Sequence, residues 1–259
     1  MPHHGRDTVT VSPPTFERSA FAQVDAGLPA GHAPMDRDWL MARFAEGLQI
    51  RLLKQPDTGL VIFQPGKLAW RPIEGADRAL VVQDLRIAPD LVGRDGAARL
   101  WSVVEGFARY YGLAAVLALI GRGPGLIAPE VAPGRGWLTL DEGPGGVRLI
   151  GRILQGPLAL PHLPRDWDAR AKALGPGVVI QTTGECRALA DRARRMLSGL
   201  SALRIPARHD CPGDACALRS RAVRPDAVYS VIVDGQVIGG PEVTLAMILD
   251  RLGGAQSPS

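Results

Sequence analysis

The stretch Asp84-Leu-Arg-Ile-Ala-Pro-Asp-Leu-Val-Gly-Arg-Asp-Gly-Ala-Ala-Arg-Leu-Trp101 decides how this chain is read. It starts inside an apolar run, Ala79-Leu-Val-Val-Gln-Asp-Leu-Arg-Ile87, that has the character of a strand. Pro89 and Gly93 break that run. From Gly96 onward, Leu100, Val103, Val104, Phe107, Ala108 and Tyr111 recur at the spacing of one helix face, and Gly112 ends the pattern. A strand, a glycine-bearing loop and a long helix therefore follow one another. The first turn of such a helix carries N–H groups without intrahelical acceptors and the positive end of the helix dipole, which together favour a phosphate. Gly-x-x-Gly before a helix occurs in many settings, so the rest of the chain has to support that reading.

On the N-terminal side, residues 1–34 are rich in Pro, Gly and His and are expected to hold little regular structure beyond a strand over 8–12. Asp36 and Asp38 are placed to cap a helix over 39–47. Strands are expected over 49–53 and 59–63 about the turn Gln55-Pro-Asp-Thr-Gly59, with 68–72 continuing the sheet. On the C-terminal side, 114–120 reads as a buried strand. A Gly/Pro-rich loop over 121–136 leads to a hairpin of 137–140 and 147–154. Residues 161–176 read as a linker. Beyond it the pattern is strand 177–183, helix 186–200, strand 203–209, helix 216–222, strands 228–233 and 236–239, and helix 242–252. The expected class is α/β (α+β): a mixed-sheet unit over 1–160 and a smaller β-α-β-α-β-β-α unit over 177–254.

Composition narrows the function classes. The 259 residues are 46% hydrophobic and 22% charged, which excludes a disordered or collagen-like chain. No apolar run approaches the ~18 residues of a membrane span, and no apolar segment follows the polar N-terminus, so a soluble cytoplasmic protein is expected with no membrane partner. The formal charge of +4 is evenly spread, with 18 basic and 16 acidic residues before Asp166 and 12 and 10 from it onward. Nucleic-acid binding needs clustered Lys/Arg and is not expected. Three cysteines, Cys186, Cys211 and Cys216, are an odd number without secretory context, against a disulfide framework.

On these residues the chain resembles the GNAT acyltransferase superfamily. The superfamily's strand, its Q/R-x-x-G-x-G/A loop and its helix align without a gap onto Ile87 through Gly112, with Val92, Gly93, Arg94, Asp95, Gly96 and Ala97 in the loop. Val92 stands in place of Gln/Arg, and Asp95 in place of the first Gly. The segments Trp39-Leu40, Phe44, Glu46-Gly47-Leu48, Phe63-x-Pro65 and Ala69-Trp70-Arg71-Pro72-Ile73 resemble a subgroup in which a GNAT unit precedes a small thioredoxin-like YoaP-type unit. Cys186 at a helix start and Tyr229-x-Val-x-Val-Asp-Gly235 agree with that subgroup. The likeness spans about residues 37–252. It implies an N-acyltransferase that takes acetyl-CoA or another acyl-CoA and acts on the amine of a small molecule or peptide. The backbone of Leu85, Arg86 and Ile87 would polarise the thioester carbonyl, and Val92, Gly93, Arg94, Gly96 and Ala97 would hold the pyrophosphate. No Tyr lies between Tyr111 and Tyr229 to serve as the superfamily's usual acid, which leaves Glu130 and Asp84 as carboxylates near the cleft.

Several residues carry two readings. Asp95 would repel a pyrophosphate, or else cap its own helix. Trp39, Trp70 and Arg71 would line an acceptor pocket, with Arg71 on a carboxylate, or else pack a core. Cys186, at a helix start, would be a lowered-pKa catalytic thiol or a packed one. His209, Cys211 and Cys216 fall short of four zinc ligands, so no metal is expected. Two further classes thus stand beside the acyltransferase: a non-catalytic binding protein, with a possible protein partner, whose loop has lost the reaction; and a thiol- or metal-handling protein built on Cys186, Cys211 and Cys216.

Overall fold

The computed structural model describes residues 7–28 and 34–254. Strands β1 (Thr8–Val11), β2 (Gln49–Leu53), β3 (Gly59–Pro65), β4 (Ala79–Ile87), β5 (Ala115–Ile120), β6 (Leu138–Gly143) and β7 (Val147–Ile153) form one sheet in the order β1-β2-β3-β4-β5-β7-β6. Every pair is antiparallel except β4 with β5. A parallel pair needs a crossover. Helices α1 (Phe21–Gly27) and α2 (Arg37–Phe44) precede β2, and α3 (Gly96–Tyr110) supplies the crossover from β4 to β5.

Strand periodicity sorts the side chains of β4. Leu85 and Ile87 join Leu100, Trp101 and Val104 of α3 in one core, while Asp84 and Arg86 face the side carrying α1. Burying a side chain such as Leu100 stabilises by about 1.5–3 kcal/mol, so the amphipathic face of α3 is enough to hold it on the sheet.

The second sheet, β8 (Val178–Thr182), β9 (Ala207–Asp210), β10 (Tyr229–Val233) and β11 (Gln236–Gly239), runs β11-β10-β8-β9, with β8 and β9 parallel and the other pairs antiparallel. Helix α4 (Trp167–Ala173) precedes it. Helices α5 (Arg187–Ala202), α6 (Ala215–Arg221) and α7 (Leu245–Gly254) connect and end it. Trp70, Leu117 and Leu149 of the first part share a core with Trp167, Leu218 and Ala227 of the second.

The expected strand over 203–209 is confined to Ala207–Asp210, and three larger differences stand out. Residues 13–27, expected to be irregular, hold a 3-10 turn (Pro13–Arg18) and α1, because Phe16, Phe21 and Val24 form an apolar stripe against α2 and the sheet. The stretch 68–72 is not a strand: Gly66–Leu68 is a 3-10 turn, and Pro72 and Gly75 carry the chain across the sheet with Trp70 and Arg71 buried. The segment expected as a linker contains α4, with Trp167 and Ala171 buried.

Candidate active site

The centre of the first sheet is a gap. Strands β4 and β5 pair only from Ala79↔Ala115 to Val82↔Ala118. At that point β4 carries a bulge: Ile62 faces Asp84 and Phe63 faces Val82, leaving Gln83 as the extra residue. A bulge bends its strand and increases the local twist. Beyond it, Asp84 to Ile87 keep β3 on one edge and, among the described residues, pair with no strand on the other.

The chain itself fills the gap. β7 pairs with β5 along its whole length, so the isolated bridge between Ile120 and Ile127 lies on the edge that β4 has left. Ile127 N–H donates to Leu119 O at 2.9 Å, and Gly121 N–H to Ile127 O at 3.0 Å. The chain then turns through a 3-10 segment, Pro129–Val131, against β4, where the Val131 carbonyl accepts from Trp101 Nε1 at 2.9 Å.

Arg71, 1% exposed, spans the same gap. Its Nε donates to Gly125 O (3.0 Å), Nη2 to Gln83 O (2.9 Å) and Nη1 to Trp70 O (2.7 Å). The remaining two N–H groups reach the carboxylate of Glu185, Nη1 to Oε2 at 3.0 Å and Nη2 to Oε1 at 3.2 Å. All five guanidinium donors are used. Arg71 does hold a carboxylate, and that carboxylate belongs to this chain, 114 residues away. Trp70 and Trp39 meet edge to face at 5.7 Å between centroids, and Arg43 lies 4.4 Å from the Trp70 ring centre. Trp70 is fully buried.

Asp84 does not point into open space. It accepts from Arg86 Nε at 2.8 Å, while Arg86 Nη2 pairs with Asp25 of α1, and all three are buried. The two carboxylates hold the Arg86 pKa above its ordinary value despite the opposing effect of burial, which is the largest single influence. Glu130 lies on the surface with Arg122, and hydrogen bonds from its own backbone and from Arg122 hold its pKa below the ordinary range.

The α3 start is open. Val92, Gly93, Arg94 and Asp95 are exposed, Ala97 is partly so, and Gly96 is buried against Leu91. Gly93 takes a left-handed φ of +79°, with no atom within 4 Å of where a Cβ would stand. Asp95 occupies the N-cap position, but its side chain makes no cap hydrogen bond. The Asp95 carboxylate therefore stands free at the mouth of the loop.

The α5 start is closed. Cys186 is its N-cap residue and is 2% exposed. Burial pushes its thiol pKa up, and the N–H groups of Leu189 and Ala188 pull it down less strongly, with Glu185 and Asp25 adding to the rise. Burial also raises the pKa of Cys211, which Thr182 engages; Thr182 Oγ1 lies 2.9 Å from His209 Nε2. Among the described residues, no group of three His, Cys, Asp or Glu side chains is placed to hold a metal.

The chain shows a distant likeness to two solved acetyltransferases. An IAA acetyltransferase from Bacillus cereus is 10% identical, covering 57% of this chain and 98% of its own at a TM-score of 0.36. A ribosomal-protein-alanine N-acetyltransferase from Brucella melitensis is 18% identical over 56% of this chain and 99% of its own, at 0.33. No protein-family model and no curated protein matches the sequence. No helix is long and apolar enough to cross a membrane among the described residues. Sequence reasoning placed the α3 loop but missed Gln83, Ile127 and Glu185. Of these, only Glu185 carried a local signal: a carboxylate between Gly184 and Cys186 that the helix start does not need.

Proposed function

We propose that the chain transfers an acyl group from a coenzyme A thioester to an amine of a small molecule or peptide. One observation carries this reading: β4 parts from β5 at a bulge, directly upstream of an uncapped helix start. That pairing of features answers to the two ends of the ligand. The N–H groups of Leu85 and Ile87, which alternate onto the edge away from β3, would polarise the thioester carbonyl, with Arg86 between them bonded toward β3. Val92, Gly93, Arg94, Gly96 and Ala97 would take the pyrophosphate on open backbone at the positive end of α3. The amine nitrogen attacks the carbonyl carbon, the C–S bond breaks, and the departing thiolate takes up the proton that nitrogen loses. The sheet order, with its single parallel pair, supports a GNAT-type unit for the first part. The order β11-β10-β8-β9 supports a thioredoxin-like unit over 177–254, and the free cysteines fit a reducing, cytoplasmic setting. A nucleophilic Cys186 would require the junction above α5 to open, because the thiol is buried.

A second reading, a non-catalytic binding protein, has its own support: Ile127 and Arg71 stand in the gap, and the free Asp95 carboxylate guards the loop. Calorimetric titration with acetyl-CoA separates the two. Saturable binding supports the acyltransferase; no heat at millimolar ligand leaves the second reading.

A further inference from the structure

We infer that Arg71 and Glu185 form a latch, through which the second part of the chain holds segment 121–127 in the gap between β4 and β5, so that a thioester enters only when this segment moves out. The inference rests on the acyl-CoA reading of the same cleft. Its geometry is independent of it.

Arg71 joins four pieces of chain at one point: the β4 bulge through Gln83 O, the filling segment through Gly125 O, its own turn through Trp70 O, and the second part through Glu185. The second part also presses on the segment from outside. A Cβ on Gly125 would stand 2.3 Å from Val228 Cγ2 and 2.8 Å from Asp226 O. The segment in turn occupies the edge of β5 that a ligand lying along β4 would need, since its Ile127 makes the ladder bonds that β4 does not.

The parts of a moving element are present. Gly123 and Gly125 take φ values of +131° and +72°, so the backbone turns where few other residues could. A cavity of about 330 Å³ lies against the segment, lined by Leu126 together with Val147, Pro225 and Asp226 among others. It leaves open space beside Leu126. Arg71 is the tie that must yield. Replacing Glu185 removes its counter-charge and leaves a buried guanidinium short of acceptors, which favours the state in which Arg71 reaches water and releases Gly125.

Hydrogen exchange on the full chain, without ligand, tests the latch directly. In Glu185→Gln the amides of Gly121 and Ile127 should exchange at least tenfold faster, while those of β2, β3 and β10 keep their rates. Unchanged rates, or a rise spread evenly over both sheets, overturn the latch. Acetyl-CoA is then titrated into both proteins. Tighter binding by Glu185→Gln, several-fold or more, is the expected result, and equal or weaker binding overturns the gating role. The wild-type protein gives a test that needs no variant: saturating acetyl-CoA should speed exchange at Gly121 and Ile127, and acetyl-CoA binding with slower or unchanged exchange there overturns the latch while the acyl-CoA reading stands. No acetyl-CoA binding by either protein breaks the acyl-CoA reading, whatever the exchange rates show.

Discussion

Two helix starts, α3 and α5, are built alike and end up in opposite conditions. Each follows a strand and a turn containing a left-handed glycine, Gly93 before α3 and Gly184 before α5. Each presents first-turn N–H groups to whatever lies in front of them. At α5 the chain's own thiol fills that position, and the first part covers it through the bridge between Met35 and Cys186 and the bond from Asp36 N–H to Glu185 O at 2.8 Å. At α3 the loop residues Val92 to Asp95 are exposed among the described residues, and the residue in the cap position makes no cap hydrogen bond. The contrast teaches that a helix dipole alone does not define a site. What is packed in front of it decides whether it binds a ligand or merely completes a core.

The contrast breaks most severely where the cover of α5 is pinned. Gly125→Ala places a Cβ against Val228 and Asp226 in a left-handed conformation. The backbone conformation costs roughly 1–2 kcal/mol and the overpacking about 1–3 kcal/mol more. A lower urea midpoint with faster alkylation of Cys186 is expected; an unchanged midpoint would show that the two parts do not press together here. Next in size is Cys186→Ala, which removes a buried side chain from the N-cap position without breaking a cap hydrogen bond. Loss of its packing costs about 1 kcal/mol. In the unsubstituted protein Cys186 should alkylate far more slowly than exposed Cys216, on the order of 100-fold if access requires local opening. Its rate should still be rising with pH above the usual thiol range, because burial has raised its pKa. Equal rates at the two cysteines would put the α5 start in solvent. The smallest effect sharpens the contrast from the other side. Asp95→Gly should tighten acetyl-CoA binding by up to about tenfold, the scale of ~1 kcal/mol for one partly screened charge, and the gain should shrink in high salt. Since Asp95 makes no cap bond, stability should move by only a few tenths of a kcal/mol. Affinity unchanged at every salt concentration would remove the pyrophosphate from this loop.

Elements set by local periodicity were legible in the sequence. Helix α3 begins at Gly96 as its apolar spacing requires, and β5 lies within the expected run 114–120. Stretches whose form depends on distant neighbours were not. Phe16, Phe21 and Val24 show their pattern only once α2 and the sheet are present to receive it. The stretch 68–72 looks extended, yet it is shaped by the burial of Trp70 and Arg71 between two layers. Within the site, the loop of α3 could be named from its glycines. The bulge at Gln83 could not, because an extra residue shows only against its partner strand. Nor could the pairing of Arg71 with Glu185, since no short-range rule couples residues so far apart.

The 114 positions between Arg71 and Glu185 also order events on the ribosome. At about 5–20 residues per second, Glu185 is made some 6–23 s after Arg71. During that interval β4 to β7 are synthesised and complete the first sheet, while the guanidinium destined for its centre lacks the Glu185 counter-ion. A nascent chain paused in that window would carry a hydrated arginine where the finished protein has a dry one, and segment 121–127 would be held by its β5 bonds without the Glu185 latch. The last third of the chain thus closes a structure begun long before it.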